Sequence, residues 1–307
     1  MQKRLDDVVI AVLGGDDREL VLIPELRRLG AKIRTAGISV LTGMEGVSCF
    51  DTIKEAVTGA RFVVLPMYGI DEEGLIRAKY ARKTLVLNRG VMQAFPSEAT
   101  ILVGVVRPLL KELAATRGLG IIELGSMGEV AILNAIPSAE GAIQMAMEAL
   151  PITIHGSKCF VLGFGRTGMT LARMLKGIGA ETYVVARNPA ALARIIEMGL
   201  IPLTYDELPA VIYRADIIFN TVPAMVLKAD LLKLARSEVY INDLASAPGG
   251  TDFAAAEELG IKAVLAPGLP GKVAPKTAGM ILSRVVPRII GEQMALTSST
   301  IPDIDRS

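Results

Sequence analysis

The 307-residue chain is 51% hydrophobic but only 4% aromatic and has no tryptophan, so its cores are aliphatic and it lacks the rings on which nucleic-acid bases stack. Its 33 basic and 32 acidic residues are interspersed, which excludes the one-signed field that gathers nucleic acid or an anionic membrane. Cys49 and Cys159 stand alone, giving neither a disulfide framework nor a zinc site and fitting a reducing cytoplasm, and the length suits two α/β domains.

The chain opens on an apolar run of about eight residues, too short to span a membrane and without the small-residue cleavage site of a leader. It predicts a β-strand over Val8–Leu13. Gly14-Gly15-Asp16 then turns the chain into a helix over Asp17–Leu29, with Leu22, Leu26 and Leu29 on one face and Gly30 to end it. Further apolar runs predict strands at Phe62–Leu65, Leu85–Leu87 and Ile101–Val105. Glu140–Leu150 is apolar on most sides and is closed by Pro151, as expected of a helix joining two domains. The expected division is 1–150 for substrate and partner, and 151–307 for a dinucleotide.

The second half alternates cleanly. Strands are predicted at Lys158–Leu162, Thr182–Ala186, Ile217–Asn220, Val239–Asn242 and Ala263–Leu265, with helices at Thr167–Ile178 and Ala190–Met198. The last helix, Thr277–Ile290, is expected to cross back to the first domain, and the polar tail Thr297–Ser307 to fray. The pattern predicts two doubly wound parallel-sheet α/β domains, the second a Rossmann dinucleotide-binding domain.

Gly163-Phe-Gly165-Arg166-Thr167-Gly168 follows one of these strands and opens a helix, the setting that gives a GxGxxG motif its meaning. Gly163 allows the tight turn, Gly165 lets backbone approach a pyrophosphate, and Gly168 lets helix and strand pack closely. The helix N-terminus offers free N–H groups to the anion. The next strand ends in Ala186-Arg187-Asn188-Pro189, where domains that bind NAD place a carboxylate on the ribose. Here no carboxylate repels a 2′-phosphate, and the Arg187 fork can pair with one, which points to NADP; Asn188 caps the following helix. Thr221-Val222-Pro223 and Leu244-Ala245-Ser246 end later strands and should line the nicotinamide side.

Two blocks, Asn134–Thr170 and Asn242–Gly279, closely resemble the A-subunit family of dipicolinate synthases. The resemblance covers nearly the whole chain and is weaker over residues 1–130. It implies NADP-dependent conversion of a dihydrodipicolinate precursor to dipicolinate for bacterial spores, together with a flavoprotein-like B-subunit. It also implies a dinucleotide loop at Gly163, Gly165, Arg166, Thr167 and Gly168, and an adenosine-phosphate clamp at Arg187.

A dicarboxylate substrate needs cationic or N–H donors on the carboxyl edge of a sheet. Lys272 and Lys276, in a Pro/Gly-rich loop before the last helix, are candidates, as is Arg18 after the first turn. Ser246, and Asn134 and Ser138 entering the connecting helix, are further candidates, Ser138 reading equally as an N-cap. Asp243 and Thr251 could orient a proton acceptor, though an Asp at a strand end commonly caps a turn. His155, the single histidine, starts a strand and lies on the wrong edge for catalysis. Two alternatives stay open: an NADP-binding scaffold for the B-subunit without catalysis of its own, and a dehydrogenase for another small amino or keto acid. Self-association as a homo-oligomer is left open as well.

Overall fold

The computed structural model describes residues 4–299. Its chain divides into two compact units, Met1–Val130 with Ala274–Ser307, and Ala131–Val273. The first is built on β1 (Val9–Leu13), β2 (Lys32–Ala36), β3 (Val47–Phe50), β4 (Phe62–Val64), β5 (Leu75–Ile76), β6 (Leu85–Val86), β7 (Thr100–Val103) and β8 (Gly120–Glu123). Six of these form a parallel sheet in the order β3-β2-β1-β4-β7-β8, while β5 and β6 pair with each other, antiparallel. The second unit holds β9 (Lys158–Leu162), β10 (Glu181–Val185), β11 (Ile201–Leu203), β12 (Ile217–Asn220), β13 (Tyr240–Asp243) and β14 (Lys262–Leu265). They form one parallel sheet in the order β11-β10-β9-β12-β13-β14.

The apolar runs become central strands because both faces of each sheet are covered. In β1, Ile10 and Val12 pack under Leu22, Ile23 and Leu26 of the helix Glu19–Arg28 and under Val285 and Ile289 of the last helix. Ala11 and Leu13 point the other way, toward Val57, Phe95 and Leu113. In β9, Cys159 and Val161 meet Leu171 and Leu175 together with Ala139, Ala142 and Ala146, while Phe160 and Leu162 meet Leu208 and Ile212.

Strand order reverses between β1 and β4 in the first sheet and between β9 and β12 in the second. At such switch points the connections diverge to opposite faces and leave a crevice outside the carboxyl ends, where doubly wound folds bind ligands.

Several expectations are corrected. The division at 150 moves to about 130 because the connecting helix, Gly128–Ala149, packs its Ala139, Ala142 and Ala146 into the second core. The last helix does cross back to the first unit, as expected, and lies against Glu19–Arg28, but it is longer than Thr277–Ile290 and runs Pro275–Ser299. Leu85–Leu87 is no strand of the main sheet; Leu85–Val86 only pairs with Leu75–Ile76. Ser138 is no N-cap, since both it and Asn134 lie inside the connecting helix and its hydroxyl donates to the Asn134 carbonyl at 2.8 Å. Of the polar tail, residues 300–307 lie outside the described residues.

Candidate dinucleotide site

The glycine loop crosses the second switch point. Gly163, at φ +93°, turns away from β9 with its N–H bonded to the Val185 carbonyl at 2.9 Å. A Cβ there would sit 2.6 Å from Thr221 Oγ1 and 2.8 Å from Val222 Cγ2, so glycine lets the loop lie against the end of β12. A Cβ on Gly168 would come within 2.1 Å of the Gly163 carbonyl oxygen, so the third glycine seats the helix Arg166–Ile178 on the loop. Gly165 differs: its φ is −86°, and an added Cβ meets no protein atom within 4 Å. Nothing inside the protein requires glycine there; the space it leaves faces outward, beside the helix N-terminus.

That terminus carries no side-chain cap. The next helix, Pro189–Glu197, is closed by Asn188, whose Oδ1 accepts the Ala190 N–H at 2.8 Å. The Arg166–Ile178 helix thus opens with N–H groups that no side chain caps, at the positive end of its dipole.

The strands beside the loop hold their ends rigidly. Thr221 donates to the Leu162 carbonyl from both its backbone N–H (3.0 Å) and its hydroxyl (2.8 Å). Asn220, fully buried, accepts the Val222 N–H at 3.0 Å and donates to the Val222 carbonyl at 3.1 Å. The Leu244 N–H donates to the Asn220 carbonyl at 2.8 Å, tying the two loops together. Pro223 and Ser246 are exposed and Ala245 is buried. Asp243 is fully buried and accepts from Ala245 N–H, Gly250 N–H and the Thr251 hydroxyl at 3.0, 2.8 and 2.7 Å. It is committed to shaping this loop, and the hydroxyl of Thr251 is committed to it.

Arg187 leaves the end of β10 exposed to solvent, its guanidinium over the Tyr205 ring at 5.2 Å. Burial raises the Tyr205 phenol pKa, and the Arg187 charge works against the rise. Tyr205 was not foreseen, because it follows β11, an edge strand whose Pro202 hides it from a strand reading.

Of the other candidates, Arg18 lies against the first turns of the last helix, where a Cβ on Gly279 would stand 2.8 Å from the Arg18 carbonyl oxygen. Arg18 is folded onto Asp16, Nε to Oδ1 at 2.9 Å and Nη2 to Oδ2 at 2.8 Å. The predicted lysine loop is helical: Lys272 lies in the short helix Leu269–Val273 of the second unit and Lys276 in the first turn of the last helix, both exposed. His155 precedes β9, at the edge opposite the glycine loop, with Nδ1 3.0 Å from the Ile178 carbonyl oxygen. Among the described residues no cluster of His, Cys, Asp and Glu could hold a metal, and no helix is long and apolar enough to cross a membrane.

Comparison with known proteins agrees with this geometry. Residues 9–125 match the family model for the N-terminal domain of the dipicolinate synthase A-subunit, and residues 137–245 that for the NAD-binding domain of D-isomer specific 2-hydroxyacid dehydrogenases. The chain is 40% identical to the dipicolinate synthase A-subunit of Bacillus subtilis (strain 168), over 95% of this chain and 98% of that protein. The crystal structure of the dipicolinate synthase A-subunit from Bacillus halodurans superposes with a TM-score of 0.91 at 36% identity, over 94% of this chain and 99% of that one. Its counterpart from Bacillus subtilis gives 0.89 at 40% identity, over 95% and 99%. The second unit is thus a dehydrogenase-type dinucleotide domain, and the chain belongs to the dipicolinate synthase A-subunit family.

Proposed function

We propose that the chain is the NADP-dependent oxidoreductase component that converts dihydrodipicolinate to dipicolinate in sporulating cells, in the cytoplasm and with a flavoprotein-like B-subunit. The observation that carries the cofactor reading is the end of β10, where the Arg187 guanidinium lies over Tyr205 and the chain offers no carboxylate at the ribose position. The uncapped helix and the open face of Gly165 fit the pyrophosphate. Arg166, Thr167 and Gly168 supply N–H groups to it, and Thr221–Pro223 and Leu244–Ser246 line the nicotinamide side.

Bound nicotinamide would accept the hydride lost by the dihydropyridine ring, while a proton leaves to water and the ring becomes aromatic. Because aromatisation drives the step, the chain's own residues need mainly to hold the ring acid and the cofactor in register.

The deciding experiment gives the purified chain NADP⁺ and dihydrodipicolinate and follows NADPH absorbance, with and without the B-subunit. Reduction by the chain alone assigns the catalysis to it. Tight NADPH binding without reduction under either condition would make it a scaffold, and reduction only with another amino or keto acid would change the substrate.

A further inference from the structure

The first unit repeats the strand order of the second, yet its switch point cannot hold a pyrophosphate. The turn after β1 is filled by the chain itself: the Gly15 N–H donates to the Arg77 carbonyl at 2.8 Å, and the Lys79 N–H to the Gly15 carbonyl at 2.8 Å. A Cβ on Gly14 would meet that same Arg77 oxygen at 2.7 Å. The segment closing the nucleotide seat therefore pins Arg77 beside the crevice.

Its side chain lies over the Tyr68 ring, 3.7 Å from guanidinium carbon to centroid. Tyr68 is in the loop after β4. A second guanidinium, that of Arg107 after β7, approaches the same ring at 5.2 Å. The loops are locked by close backbone approach, since a Cβ on Gly69 would meet the Val105 carbonyl oxygen at 2.5 Å and one on Gly104 the Met67 carbonyl oxygen at 2.1 Å. Arg107 also precedes the first residue of the helix Pro108–Ala115, whose N-terminus adds positive potential.

Two like charges on one ring repel, and among the described residues neither guanidinium is in an ion pair. Glu123, at the end of β8, accepts the Val106 N–H at 2.7 Å. The Nε of Arg107 is buried without a hydrogen-bond partner. Stacking on an aromatic face fixes a guanidinium plane and leaves its N–H edge for a bidentate acceptor. Two such edges around one ring suit a ligand with two carboxylates.

We infer that Arg77 and Arg107, oriented by Tyr68 at the switch point of the first sheet, form the anchoring site for a small planar dicarboxylate. That the ligand is a pyridine ring acid rests on the function proposed above; the two-carboxylate chemistry does not.

The test is calorimetric titration of the full chain, in metal-free buffer, with pyridine-2,6-dicarboxylate, benzene-1,3-dicarboxylate and the monoacid pyridine-2-carboxylate. The parent should bind a diacid at least tenfold more tightly than the monoacid. Arg77→Met and Arg107→Met should each weaken diacid binding at least tenfold while NADPH affinity stays within twofold. Because Arg107 is partly buried, Arg107→Lys is run beside it: it keeps the charge without the planar fork, and a loss there with an unchanged melting temperature speaks for recognition. Binding of the benzene diacid alone would keep the site and overturn the pyridine substrate. A parent that binds neither diacid, or arginine variants that bind as the parent does, would overturn the site and leave the function to be judged by NADP⁺ reduction.

Discussion

A Cβ on Gly168 would stand 2.1 Å from the carbonyl oxygen of Gly163, whereas one on Gly165, between them, would touch nothing. Two of the three glycines thus serve the fold, and no contact within the protein requires the third. Gly168→Ala forces backbone to shift and should destabilise by roughly 1–3 kcal/mol. Gly163→Ala adds the strain of an L side chain at φ +93°. Both should lower the melting temperature by several degrees, while Gly165→Ala should leave it within about 2 °C and weaken NADPH binding at least tenfold. Thermal unfolding and cofactor titration of the three variants separate these roles, and an unimpaired Gly165→Ala would remove the pyrophosphate from this loop.

The proposed NADP reading gives Arg187 a phosphate partner only in the phosphorylated cofactor. NADPH should therefore bind at least tenfold more tightly than NADH, and Arg187→Ala should weaken NADPH selectively by roughly 1.5–3 kcal/mol, the range for a charge-assisted hydrogen bond. Titration with both cofactors decides it; equal affinities in the parent would sink the preference.

Burial raises the Glu19 carboxyl to about 7, against the Asp16 N–H that it accepts at 2.6 Å. Between its ordinary 4.5 and about 7 the unfolded chain ionises this group and the folded chain does not. Stability from this group is complete below 4.5 and falls as pH rises through 7, by up to about 3 kcal/mol. Glu19→Gln keeps an acceptor and cannot ionise, so relative to the parent it should gain stability at pH 8 over pH 5. Urea unfolding at the two values measures this, and an identical difference at both would mean that Glu19 ionises freely in the fold.

His155→Asn should leave kcat within about tenfold of the parent, since the imidazole sits at the amino edge of the second sheet, against the Ile178 carbonyl. A loss far beyond that in a folded variant would place chemistry on the wrong edge.

The strands most legible from sequence are those buried on both faces, such as β1, β9 and β12, where unbroken apolar runs follow from double coverage. β2 escapes because Lys32 and Arg34 interrupt it, and β11 because it contains Pro202. Prolines also disguise the lysine segment: Pro270 and Pro275 lie in first helical turns, which tolerate a missing N–H, so a loop reading turns out helical. The glycine loop and Arg187 are visible through spacing alone. Tyr205 and the Arg77–Tyr68–Arg107 group come from separate loops that only the strand order assembles, and no local pattern announces them.

The last helix supplies the first unit with part of its wall: Leu282, Val285, Val286, Ile289 and Ile290 close the layer over Ile10, Val12, Leu22 and Leu26. On the ribosome this inverts the usual order in which domains mature from the N-terminus. Ala131–Val273 emerges whole while the earlier residues still await their final layer, so the first sheet is made first and finished last. A chain stopped after Val273 would carry an intact second unit joined to a first unit whose aliphatic face stays wet.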